Sequence, residues 1–102
     1  NKKAWEHPAK RAKIEQLALL LQGALAAESR VLIKLNVPAE KLAAVSAILP
    51  SLHAPTINKL NDAEWFAVES VVEEKVVRDI VPPLRAAGAT GIIELPLNKV
   101  IF

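Results

Sequence analysis

The 102-residue chain has no cysteine, no methionine and no tyrosine, and only three glycines, two tryptophans and two phenylalanines. Without cysteine there is no disulfide framework, no thiolate nucleophile and no cysteine-ligated zinc site. Gly23, Gly88 and Gly91 form no phosphate-binding loop. No apolar run approaches the ~20 residues that cross a bilayer, and no signal-peptide pattern opens the chain, so we expect a soluble, cytoplasmic module without a membrane partner. Charge of one sign is also scarce, with 13 Lys plus Arg against 11 Asp plus Glu. With 52% apolar residues, that balance excludes intrinsic disorder.

What is present fits one domain, or a piece of a longer protein carrying one, with a single modest core. The Asn at position 1 leads us to expect a processed or excised piece. The formal charge of +2 hides an asymmetry: residues 1–13 sum to +4 and the other 89 to −2. A basic arm can touch phosphate backbones, but the start of a solvated helix accounts for these charges and is the reading we adopt.

From Pro8, helix formers run to Glu28, with Ile14, Leu17, Leu21 and Leu25 on one stripe. The period then changes. Val31–Asn36 alternates as a strand, Pro38 opens a second helix with Leu42, Val45, Ile48 and Leu49 as its buried stripe, and Pro50 ends it. Pro55–Leu60 and Trp65–Val72 read as a hairpin around the turn residues 61–64. A third helix spans about Glu73–Ala87, with Gly88 as its stop. Pro82-Pro83 predicts a kink or break at Val81–Pro83, because Pro82 has no N–H for the Arg78 carbonyl. Gly91–Leu95 is a fourth strand, and Leu97–Phe102 is expected as a short edge strand.

This order gives an α+β fold, a ferredoxin-like βαββαβ (split βαβ) sandwich preceded by one long amphipathic helix. We place the linker helix at residues 1–29 and the ferredoxin-like domain at 30–102. Strands one and three are expected at the centre, with strand four beside strand one. Val31, Ile33, Leu35, Phe66, Val68, Ile93 and Leu95 are assigned to the face under the helices. Lys34, flanked by Glu69 and Glu94, is assigned to the open face, where opposite charges on neighbouring strands attract.

Catalytic constellations are missing. His7 and His53 have no carboxylate beside them in metal or base spacing, and Ser29, Ser46, Ser51 and Ser70 have no His-plus-acid context. Glu73 and Glu74 suit a helix N-terminus. Strand one carries no aromatic residue for stacking bases, so we expect no nucleic-acid partner. Asn36, Thr56, Ser70 and Gly91, at strand ends, remain as positions suited to a small polar ligand.

Several stretches together resemble a known family: Lys10–Glu28, Leu35–Pro38, Ile48–Thr56, Trp65–Val72 and Leu84–Ile101. They are similar, in order and spacing, to the C-terminal regulatory domain of long-form ATP phosphoribosyltransferase, the first enzyme of histidine biosynthesis. The resemblance implies a ferredoxin-like domain that binds L-histidine between neighbouring subunits and inhibits a hexameric transferase by allosteric feedback. It implies that ATP and phosphoribosyl pyrophosphate are condensed, with magnesium, on two preceding catalytic domains of the same polypeptide. This stretch would then be non-catalytic, without a cofactor of its own, while its parent is a glycosyltransferase. The implied histidine-binding positions are Asn36, Leu52, Thr56, Ser70, Val71 and Gly91. Some relatives carry an acidic residue at the position of Asn36, where Asn offers a neutral hydrogen bond. Asn58-Lys59 and Pro83 also depart from the usual pattern. The alternative is a ligand-free oligomerisation module whose open sheet face pairs subunits.

Overall fold

A computed structural model describes residues 7–50 and 54–102. They form two compact units, α1 with Leu97–Phe102 and, separately, Ser29–Pro96. Helix α1 spans Pro8–Glu28, the bounds expected from its proline and its run of helix formers. Gly23 and Ala27 are its buried residues. Leu97–Phe102 is not the strand the alternation predicts. Instead the Val100 N–H donates to the Gly23 carbonyl at 2.9 Å, and a side chain on Gly23 would run into Ile101. The stripe of Ile14, Leu17, Leu21 and Leu25 is exposed.

The second unit is a four-stranded antiparallel sheet in the order β2-β3-β1-β4. Its strands are β1 (Arg30–Pro38), β2 (Thr56–Lys59), β3 (Trp65–Glu73) and β4 (Thr90–Pro96). Helices α2 (Leu42–Ile48) and α3 (Glu74–Ala86) are the crossovers, so the ferredoxin-like arrangement is the one present. The β1–β3 register pairs Val31 with Val72, Ile33 with Ser70, Leu35 with Val68 and Val37 with Phe66. Directly opposed residues share a face, and this one is buried. Its valines, Ile33 and Leu35 pack with Val45 and Leu49 from the α2 segment and with Leu84 and Ala89.

Several local expectations are corrected. Pro38 ends β1 rather than opening a helix; a single 3-10 turn, Ala39–Lys41, precedes the short α2. Leu49 is already extended, as the residue before Pro50 should be. Next, α3 does not break at Val81–Pro83 but continues through both prolines to Ala86. Leu84, immediately after them, is fully buried, and Val76, Val77 and Ile80 pack on the same core. This burial offsets the ~3 kcal/mol that an interior proline costs. Gly88, with φ of +113°, then ends the helix as expected.

The remaining corrections concern β4. Ile93 and Leu95 do not lie under the helices: they pair with Lys34 and Leu32 on the open face and are 48% and 43% exposed. Glu94, assigned to the open face, pairs with Ile33 on the helix side. The cause is a bulge between Lys34 and Asn36, where Gly91 and Ile92 stand against the single residue Leu35. Gly91 has φ of +58°, the left-handed conformation that glycine supplies in such bulges. One extra residue reverses every later side chain in a strand of period two.

Candidate functional site

The antiparallel register sets three central rows on the open face, between Arg30–Glu73 at one end and Pro38–Trp65 at the other. Val71, Leu32 and Leu95 form an apolar row; Thr56, Glu69, Lys34 and Ile93 form the next; Asn58, Ala67, Asn36 and Thr90 form the third. Lys34 and Glu69 stand directly opposite each other, as expected.

Asn36 and Gly91 come together here. A Cβ on Gly91 would lie 3.7 Å from the Asn36 Nδ2, so the glycine leaves the backbone beside the Asn amide open. Asn36 is partly buried, with one amide oxygen to accept and two N–H groups to donate. Thr56 opens β2 opposite Glu69 and is exposed. It shares the open face with Asn36 but stands two strands away, a lateral separation on the order of 10 Å. Val71 lies on the same face, in the apolar row.

Ser70 is on the other face. It is 5% exposed, and its hydroxyl donates to the Pro50 carbonyl at 2.6 Å. That bond ties the chain leaving α2 to the centre of β3. Leu52 and His53 lie outside the described residues. Of the six positions, Asn36 and Gly91 are therefore neighbours, Thr56 and Val71 share their face, and Ser70 holds a segment from behind.

A shallow groove of about 450 Å³ lies elsewhere, lined by Glu74, Val77, Arg78, Val81, Pro82 and Glu94. Sequence reasoning missed it because it exists only once the bulge turns Glu94 toward α3. Glu73 and Glu74 sit at the start of α3, where the Glu74 N–H donates to the Ser29 carbonyl at 2.8 Å and Glu73 pairs with Lys75 at 3.3 Å. His7 is exposed. Among the described residues no group of three or more His, Asp or Glu side chains could hold a metal ion. No helix among them is long and apolar enough to cross a membrane.

Comparison with known proteins fits this architecture. Residues 27–99 match the family model described as HisG, C-terminal domain. An ATP phosphoribosyltransferase of Nitratidesulfovibrio vulgaris (strain DSM 19637 / Miyazaki F) is 63% identical over 100 residues, covering 98% of this chain and 34% of that protein. The enzymes of the same name from Solidesulfovibrio magneticus and Thermodesulfovibrio yellowstonii are 58% and 52% identical, each over 101 residues and 99% of the chain. They too are covered only to 34% and 35% of their length. The chain thus spans about a third of the curated relatives it matches. With a match that takes in both crossover helices and all four strands, the chain belongs to the HisG C-terminal domain family.

Proposed function

We propose that the chain is the L-histidine-binding regulatory domain of an ATP phosphoribosyltransferase acting at the first step of histidine biosynthesis. The observation that carries this reading is the 52–63% identity along nearly the whole chain to proteins of that name, from a piece that holds no catalytic constellation. The parent reaction, ATP with phosphoribosyl pyrophosphate, belongs to the catalytic domains of the same polypeptide in the cytoplasm. The described residues do not fit the magnesium that the reaction implies, and we assign that ion to the catalytic part.

Asn36 beside the open backbone of Gly91 offers a donor and an acceptor to the amino acid's polar groups. Thr56 adds a hydroxyl on the same face, and Val71 adds apolar surface. Ser70, through its bond to the Pro50 carbonyl, holds the end of the α2 segment in place. Because these groups lie far apart within one chain, the binding site is completed by a neighbouring subunit in the hexamer. That supplies feedback: histidine binds better to the arrangement in which the two halves meet, and only differential affinity shifts a population. In the full-length enzyme, Asn36→Ala with Thr56→Ala should weaken inhibition by L-histidine at least tenfold, about 1.4 kcal/mol, with catalysis without histidine unchanged. Full inhibition in the double variant would remove the site assignment.

The second reading is a ligand-free oligomerisation module. It draws on the apolar row of Val71, Leu32 and Leu95 with the exposed Ile93 beside it. A mass in ultracentrifugation that rises with concentration and ignores histidine favours it.

A further inference from the structure

A glycine inside a helix weakens it relative to alanine, yet Gly23 stands in the interior of α1 and is buried. The segment Leu97–Phe102, which forms one compact unit with α1, supplies the reason. The Val100 N–H donates to the Gly23 carbonyl at 2.9 Å. A Cβ on Gly23 would lie 3.2 Å from the Val100 carbonyl oxygen and would collide with Ile101. Gly23 is thus the seat of a strap whose backbone crosses the helix at close range.

The strap is the direct continuation of β4. That strand starts beside Asn36, at Thr90 and Gly91, and ends at Pro96 opposite Val31. The strand that carries Asn36, β1, is joined to α1 through Ser29 alone. Both strands of the candidate site therefore run into the α1 unit, β1 through one residue and β4 through the strap. Each residue has two soft torsions, so a one-residue connection passes little of a strand's displacement to a helix. A second attachment at Gly23, about 7.5 Å back along the helix from Glu28, removes much of that freedom. We infer that the Gly23–Val100 strap is the coupling device of the feedback. A ligand held by Asn36 and Gly91 acts on β1 and β4 together, and the strap carries the shift of β4 to α1.

This inference rests on the histidine-binding reading given above. Its test uses the full-length protein carrying Gly23→Leu, which keeps a helix former but fills the seat, or Val100→Pro, which removes the donor and leaves α1 unchanged. L-histidine affinity is read by calorimetry. Inhibition at saturating L-histidine is read against each variant's own rate without it. Affinity should stay within about threefold of the wild type while inhibition falls at least about fivefold, the lower end of ordinary allosteric coupling. Undiminished inhibition in either folded variant overturns the inference. Affinity that falls in step with inhibition also overturns it, because the strap would then support the site rather than couple it. Gly23→Ala, which still meets Ile101, takes the place of Gly23→Leu if that variant fails to fold. A wild type that binds no L-histidine overturns the regulatory reading and the coupling with it. That result needs no variant, so the two failures are distinguishable.

Discussion

Ser70 and Gly91, both expected at a ligand site, serve two different structural ends. Ser70 has a polar side chain in the buried layer, and its hydroxyl is committed to the Pro50 carbonyl. Ser70→Ala should therefore cost about 1 kcal/mol in denaturant unfolding, the usual worth of such a bond. An unchanged midpoint would mean that the tether does not hold. Gly91 matters for conformation rather than space, since the nearest atom to an added Cβ is at an ordinary 3.7 Å. Gly91→Ala should cost about 1–2 kcal/mol, and Gly91→Asn clearly less, because Asn tolerates the left-handed region. Equal losses in the two variants would point to crowding instead. At this scale the sequence was only partly legible: Gly91 stood out as a strand-end glycine, but nothing in its neighbours marks it as the site of a bulge.

Among the elements, α1, the four strands and their order could be read from proline positions and from the change of period between helix and strand. Two features could not. The bulge in β4 moved Ile93, Glu94 and Leu95 to the faces opposite those their alternation implied, since alternation carries no information on where an extra residue falls. The prolines of α3 were the other. Local propensity argues for a break after Val81, but it counts only the backbone, and the burial of Leu84 beyond the prolines depends on tertiary packing. The helix persists despite the missing donors at Pro82 and Pro83. Pro82→Ala should then stabilise the domain by roughly 1–2 kcal/mol: it restores an N–H for the Arg78 carbonyl, less what is lost in unfolded-chain rigidity. A melting temperature raised by several degrees is the expected result. A lowered one would show that the proline rings contribute packing that alanine cannot replace.

For the whole molecule, the candidate site is the least legible part, and its layout gives the reason. Asn36 and Gly91 meet at one place on the sheet, Thr56 stands two strands away, and Ser70 faces the core. If, as proposed, the site is completed between subunits, one chain's sequence carries no signature of it beyond the positions themselves. The same layout predicts that binding requires assembly. The measurement that bears most directly on this is titration calorimetry of the full-length protein with L-histidine, for the wild type and for Asn36→Ala with Thr56→Ala. Saturable heat in the wild type, weakened at least tenfold in the double variant, is the predicted result. No heat in the wild type, or an undiminished affinity in the variant, would contradict it.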